Sequence, residues 1–101
     1  MTRLHKASQH QEERVARRFD GRRTPGSGSG FIKNDVRSED WSFEVKWTGK
    51  KQYTLKSADL KEGEKYALLD GREFAFGIEM DGTHWVVISE DTFHKLLEGV
   101  R

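Results

Sequence analysis

A strict alternation of apolar and polar residues runs from residue 41 to residue 48. One face of this segment holds Trp41, Phe43, Val45 and Trp47, and the other holds Ser42, Glu44, Lys46 and Thr48. This two-residue period predicts a β-strand with one buried face. Residues 31–36 predict the preceding strand of a hairpin, and residues 37–40 predict its turn. Such a turn pairs Val36 with Trp41 and Asp35 with Ser42.

A second hairpin is predicted over residues 73–80 and 84–88, around the turn-favouring pair Asp81-Gly82. Apolar residues at helical spacing predict helices over residues 8–19, over residues 57–69 and after residue 89. The expected N-caps are Ser8, Ser57 and Ser89. We expect the middle helix to turn Leu60, Ala67 and Leu68 inward.

Tyr53-Thr54-Leu55 either extends the sheet or leads into the second helix. The predicted element order is therefore about αβββαββα. This order is typical of an α/β (α+β) domain in which helices flank a small mixed β-sheet.

The chain of 101 residues predicts a single domain, residues 1–101, whose residues 1–7 are flexible. Hydrophobic residues are 34% and charged residues 35%, so a twofold dimer would add useful buried area. Cysteine is absent, which excludes disulfides and thiolate zinc sites. With no apolar run near the ~20 residues of a membrane span and no signal-peptide core, we expect a soluble cytoplasmic protein without membrane contact.

Positive charge is concentrated in the N-terminal third of the chain. Through Gly30 there are seven basic and three acidic residues, which gives +4, whereas the whole chain carries only +1. This distribution favours a surface that faces phosphate, although a solvated helix face has the same composition. Residues 22–30 begin with two arginines and continue into a Gly/Ser run, which predicts a basic loop, either a flexible linker or a shaped active-site loop.

Asp35, Glu44 and Lys46 fall on the polar face of the predicted hairpin. With Asp35 opposite Ser42, Asp35 and Glu44 are diagonal neighbours, about 7–8 Å apart between backbones. Two carboxylates at this spacing, with the carbonyl oxygen of Val45, can ligate Mg²⁺, which takes oxygen ligands and keeps several waters. Bound Mg²⁺ activates water and polarises a phosphate, while Lys46 orients that water or neutralises developing charge. The pattern predicts phosphodiester hydrolysis.

The first helix offers a third carboxylate. Glu12 precedes Val15, Ala16 and Phe19 by three, four and seven positions, so we expect it to face the sheet and to join the site as a catalytic residue and metal ligand, whereas Glu13 points away. Glu-x-Lys on a strand is, taken alone, more often a solvent-facing ion pair. The conjunction of all these features favours a catalytic site.

Together, these residues resemble the PD-(D/E)xK nucleases, in particular the archaeal-type Holliday-junction resolvases and related short phage nucleases. The resemblance covers about residues 9–60 and rests on Glu12, the loop 26–30, Asp35, Glu44-Val45-Lys46 and Tyr53-x-Leu55. It implies a restriction-endonuclease-like core and a homodimer that cuts branched DNA with Mg²⁺ or Mn²⁺. It also implies roles for Glu12, for Ser27 or Ser29, and for Asp35, Glu44 and Lys46. The chain is shorter than typical resolvases, and its Pro25-Gly26 precedes the loop instead of adjoining Asp35.

The remaining candidate residues are expected to contact the DNA backbone. They are Arg22, Arg23, Ser27, Ser29, Lys33, Lys50, Lys51 and Gln52. Each has a plain alternative as a solvated loop or turn residue. The alternative functions are a nicking, mismatch or restriction-like nuclease of the same chemistry, and a non-catalytic DNA-binding module. We expect no organic cofactor and, for a phage-encoded chain, action in the host cytoplasm.

Overall fold

A computed structural model of the chain describes residues 3–25 and 34–99. Within these ranges the helices are α1 (Arg3–Arg18), α2 (Ser57–Leu69) and α3 (Glu90–Gly99), and the strands are β1 (Arg22–Arg23), β2 (Val36–Arg37), β3 (Trp41–Thr48), β4 (Glu73–Met80) and β5 (Thr83–Val87). The strands form one sheet in the order β1-β2-β3-β4-β5. Only β3 and β4 run parallel, so the chain has a mixed α+β fold. None of these helices is long and apolar enough to cross a membrane.

The central elements lie where the hydrophobic pattern predicts them. Helix α2 and strand β4 have the predicted bounds, and β5 is displaced by a single residue from its predicted range. Asp81 and Gly82 make the turn between β4 and β5 with positive φ angles of 50° and 73°, as a tight hairpin requires.

The observed element order matches the predicted αβββαββα, but one strand comes from an unexpected segment. Arg22 and Arg23 pair with Arg37 and Val36 at the sheet edge, where the sequence predicts a loop. Tyr53-Thr54-Leu55 has no regular structure. A two-residue edge strand leaves no periodic signal in the sequence, because its pairing is selected by the neighbouring strand.

Helix α1 begins at Arg3, so residues 3–7, for which the sequence analysis predicts a flexible start, belong to the helix. Ser8 consequently lies inside the helix and does not cap it. Residues 3–18 contain neither glycine nor proline, so the helix can extend in the N-terminal direction past Ser8.

The two other predicted N-caps have different outcomes. At α2 the N-cap is Lys56, without a side-chain cap hydrogen bond, and the prediction of Ser57 is wrong. At α3 the prediction is confirmed, because Ser89 Oγ accepts the N–H of Thr92 at 3.0 Å.

The hairpin of β2 and β3 has a different register from the predicted one. Val36 lies opposite Phe43, and Arg37 lies opposite Ser42. The difference amounts to two residues, so every β3 side chain keeps its predicted face. Residues 31–33 of the predicted first strand lie outside the described residues, and residues 34–35 form a bend.

Apolar side chains cover both faces of the sheet. The face toward α1 carries the core of Val15, Ala16, Val36, Phe43, Val45 and Ala75, and the face toward α2 carries Ala67, Phe74, Phe76 and Ile78. Phe74, Phe76 and Ile78 are at most 6% exposed, so they pack inside the chain and are not available to a second subunit. Leu68 is 68% exposed, which contradicts its predicted inward position.

Helix α2 approaches the sheet closely at Gly63. A Cβ at this position would overlap the ring of Phe74. Gly63 therefore sets the distance between α2 and β4, although glycine inside a helix has a poor intrinsic propensity.

Candidate active site

Asp35 is the last residue before β2. Its backbone carbonyl accepts the N–H of Thr24 at 2.8 Å, and its Oδ2 accepts the N–H of Val45 at 2.9 Å. Because β2 begins only at Val36, this carboxylate occupies the place that a backbone carbonyl would hold in a longer strand. One bond thus ties Asp35 to the segment after β1, and the other ties its carboxylate to the edge of β3.

Glu44 of β3 meets Asp35 on the α2 face of the sheet. Val36 lies opposite Phe43, so Asp35 and Glu44 are the next residues along the chain on each side of that pair, with Asp35 in the bend before β2. The predicted diagonal placement assumed Asp35 opposite Ser42, a register that the structure does not have. A side-chain hydrogen bond joins the two carboxyl groups. Burial, followed by the hydrogen bond and charge of Asp35, raises the pKa of Glu44 to about 9, whereas the Lys46 ammonium acts to lower it. Without a cation, the pair of Asp35 and Glu44 therefore retains one shared proton at neutral pH.

The backbone of Val45 points toward the same pair. Its N–H is directed at the Asp35 carboxylate, and in a strand the C=O of a residue points to the same side as its N–H. The Val45 carbonyl oxygen therefore lies on the edge of β3 that faces Asp35. Three oxygen donors converge here from adjacent stretches of backbone.

Glu12 reaches this region from α1. Its side chain is 21% exposed, against 49% for Glu13, in agreement with the predicted helical phase. Its charge contributes to the raised pKa of Glu44. Arg23 Nε donates to Glu12 Oε1 at 3.2 Å, and Arg23 Nη1 lies 3.6 Å from Glu13 Oε1. Strand β1 thus places an arginine against the acidic side of α1.

A buried amide beside Asp35 was missed by sequence reasoning. Asn34 is 2% exposed and Ser42 is 3% exposed. Asn34 Nδ2 donates to Ser42 Oγ at 2.8 Å and to the carbonyl oxygen of Gly63 at 3.0 Å. Asn34 therefore anchors the Asp35 segment to β3 and α2. The one signal in the sequence is a polar residue directly before the aspartate.

A cleft of about 210 Å³ opens beside Glu44 and Lys46, between β3 and α2. The α2 wall contributes Asp59, Glu62 and Tyr66, none of which the sequence analysis singled out. This wall is acidic, whereas Lys46 on the opposite side is exposed. A polyanion approaching Glu44 is therefore attracted from the Lys46 side and repelled from the α2 side.

The predicted DNA-contact residues divide into described and undescribed groups. Arg22, Arg23, Lys50, Lys51 and Gln52 are exposed, the last three in the turn after β3. Ser27, Ser29 and Lys33 lie outside the described residues.

The donor set at Asp35 and Glu44 fits a hard divalent cation. Two carboxyl groups that share a hydrogen bond in a half-buried position repel each other once both are ionised, and a cation between them removes that penalty. Within residues 3–25 and 34–99, no three His, Cys, Asp or Glu side chains gather closely enough to hold a metal ion by themselves. Glu12 accordingly stays a predicted ligand, and the Val45 carbonyl and waters would complete the shell.

No protein-family model matches this chain, and no curated protein or solved structure is significantly similar to it.

Proposed function

We propose that this chain is a metal-dependent DNA endonuclease of the PD-(D/E)xK type, built on a restriction-endonuclease-like core. The observation that carries the proposal is the pair of Asp35 and Glu44, joined by a hydrogen bond beside Lys46. A strongly perturbed carboxyl group with a specific charged partner at a cleft is typical of a functional site. A surface ion pair would show neither the burial nor the close contact of two acids.

The residues of this site have separable roles in the proposed reaction. Asp35, Glu44 and the Val45 carbonyl would hold Mg²⁺ or Mn²⁺, and the proton shared by the two carboxyl groups would be released to solvent. Bound Mg²⁺ supplies Lewis acidity toward a phosphate oxygen and lowers the pKa of its own water. Lys46 stabilises negative charge on the phosphoryl oxygens or orients the attacking water. Glu12 adds negative charge next to Glu44.

The proposed DNA path follows the basic side of the site. Arg22, Lys50 and Lys51 are exposed, and cationic side chains of this kind contact phosphates without reading bases. We propose that the substrate is a Holliday junction or another branched DNA, cut by the two sites of a homodimer during recombination or repair. Two sites related by a twofold axis provide symmetric cutting of such a substrate.

The decisive experiment compares a labelled four-way junction, a linear duplex and a nicked duplex in Mg²⁺, Mn²⁺ or EDTA. We expect paired symmetric cuts on the junction with either metal and none with EDTA. Equal cutting of the linear duplex would instead identify a nuclease of the same chemistry with another substrate. DNA binding without cleavage in either metal would identify a non-catalytic DNA-binding module.

Variants test the site assignment within the same assay. Asp35→Asn and Glu44→Gln should lower cleavage by about 100-fold or more while leaving junction binding largely intact. Glu62→Gln is the matched control, because Glu62 lines the same cleft from α2 and has no proposed part in catalysis. Cleavage at the wild-type rate by Asp35→Asn or Glu44→Gln would reject the assignment.

A further inference from the structure

Large apolar side chains remain exposed on the last strand and the last helix. On β5, Trp85 is 55% and Val86 53% exposed, and on α3, Phe93 is 53%, Leu96 44% and Leu97 43% exposed. Contiguous apolar surface on a soluble protein marks an interaction site more often than chance placement does. Trp85 lies opposite Ile78 and therefore on the α2 face, whereas Val86 belongs to a groove on the α1 face and the three α3 residues form a stripe along their helix.

The first surface, which we call the β5 groove, is a cavity of about 400 Å³ between α1 and β5. Gly77 and Val86 line it from the sheet, Phe19 lines it from the end of α1, and Arg14 and Arg18 add positive charge. Helix α1 packs over β1, β2 and β3, and on the same face of the sheet His84 and Val86 of β5 remain exposed. The groove therefore lies beside α1 on the same face of the sheet, where a second helix could pack.

The second surface, the α3 stripe, consists of Phe93, Leu96 and Leu97, which follow helical spacing. Other residues attach α3 to its own chain. Thr92 Oγ1 donates to Glu73 Oε2 at 3.3 Å, and Lys95 Nζ donates to Glu73 Oε1 at 3.0 Å. These two bonds attach α3 through residues outside the stripe.

The two surfaces are complementary in charge. Glu90 precedes Phe93 by three positions and Leu97 by seven, so this exposed carboxylate lies along the stripe. The groove offers Arg18 at its α1 wall. An apolar helix with an acidic start therefore fits an apolar groove with a basic wall.

We propose that the α3 stripe of one copy of this chain docks in the β5 groove of a second copy. A twofold axis makes the contact reciprocal, since each copy then gives one helix and receives one. Groove and stripe are both covered in each copy, so each partner contributes two patches toward the ~800 Å² per partner of a standard interface. The proposal does not rest on nuclease activity.

Molecular mass in solution tests the interface. Sedimentation equilibrium of the full chain should give twice its mass of 11.7 kDa. Val86→Glu in the groove and Leu97→Glu in the stripe should each weaken self-association at least about tenfold. Leu68→Glu is the matched control, because Leu68 is 68% exposed on α2, outside both surfaces, and should leave the dimer unchanged. A monomeric wild type would overturn the proposal. So would a dimer that is unaffected by Leu97→Glu, since a dimer paired through the β5 edges would tolerate this substitution.

Charge reversal tests the partner within that dimer. Arg18→Glu and Glu90→Arg should each weaken the homodimer, because like charges then meet in both contacts. An equimolar mixture of the two variants should associate again as a heterodimer, since each of its contacts joins opposite charges. If the mixture stays as dissociated as the separate variants, α3 of one copy does not meet the groove of the other, and the proposal fails.

Discussion

The side-chain amide of Asn34 donates to Ser42 Oγ at 2.8 Å, and through this bond the segment that carries Asp35 is tied to β3. The same amide donates to the Gly63 carbonyl of α2 at 3.0 Å. A carboxylate that shares a hydrogen bond with another acid needs a rigid support, because mutual repulsion pushes the ionised groups apart. The buried amide supplies this support from the residue next to Asp35.

Replacement of Asn34 should therefore affect both stability and metal dependence. Asn34→Ala leaves Ser42 Oγ and the Gly63 carbonyl without their buried donor, which should cost about 1–3 kcal/mol in the free energy of unfolding. We also expect a higher Mg²⁺ concentration for half-maximal cleavage, because Asp35 is held less firmly. Urea unfolding and a Mg²⁺ titration measure the two effects. Ser42→Ala keeps the bond to Gly63 and should show a smaller version of both. An unchanged Mg²⁺ requirement in Asn34→Ala would limit Asn34 to a structural role.

The raised pKa of Glu44 predicts how stability depends on pH in EDTA. Below its ordinary value of 4.5, Glu44 is protonated in the folded and unfolded states alike. As pH rises toward the folded value of about 9, the unfolded state ionises while the folded state keeps its proton, so the free energy of unfolding falls. Urea unfolding at pH 5.5 and pH 8.5 should show a smaller loss for Glu44→Gln than for the wild type. Mg²⁺ should restore stability to the wild type at pH 8.5 and not to Glu44→Gln.

Two results would contradict this account of Glu44. One is an equal loss of stability in the wild type and Glu44→Gln over the same pH range. The other is an equal gain from Mg²⁺ in both proteins. Glu62→Gln, with its exposed carboxyl in the same cleft, controls for the loss of one negative charge and should behave like the wild type.

The close approach of α2 to β4 predicts a costly substitution at Gly63. Gly63→Ala should gain about 1 kcal/mol of helix propensity but lose more, because the added Cβ overlaps the Phe74 ring and overpacking costs about 1–3 kcal/mol. Urea unfolding should show a net loss. Gly99→Ala is the matched control, since a Cβ at Gly99 meets nothing within 4 Å. The double variant Gly63→Ala, Phe74→Leu should recover part of the loss, and no recovery would place the strain elsewhere.

The ion pairs of Arg23 predict its effect on DNA binding. Arg23 and Arg22 should each contribute one phosphate contact, so either alanine variant should reduce the slope of log Kobs against log salt by about 0.9. Arg23→Ala should lose more affinity than Arg22→Ala, because it also uncovers Glu12 and Glu13. Adding Glu13→Gln to Arg23→Ala should recover part of this difference. Fluorescence anisotropy over a series of salt concentrations measures the wild type, the two single arginine variants and the double variant. Equal affinity losses for the two arginine variants would show that the acidic side chains stay away from the DNA.

Much of the fold follows from local patterns that the sequence displays. The alternation over residues 41–48 and 73–80 and the Asp81-Gly82 turn locate β3, β4 and the final hairpin. The two-residue period also assigned Glu44 and Lys46 to a common face, and a register error of two residues did not disturb this assignment. Periodicity depends on neighbours in the chain, so it can be read without knowing what the element packs against.

Other features depend on contacts between distant parts of the chain, and only the tertiary structure decided them. The edge strand Arg22–Arg23 exists because β2 pairs with it, and Gly63 is required because Phe74 lies beneath it. The sequence shows the carboxyl groups of Asp35 and Glu44, but their contact and the high pKa of Glu44 come from register and burial. The sequence by itself thus determined which chemical groups and which strand faces are present. Contacts between residues far apart in the chain determined how those groups meet, as in the hydrogen bond between Asn34 and Gly63, which are 29 positions apart. No local period in the sequence encodes such a long-range contact.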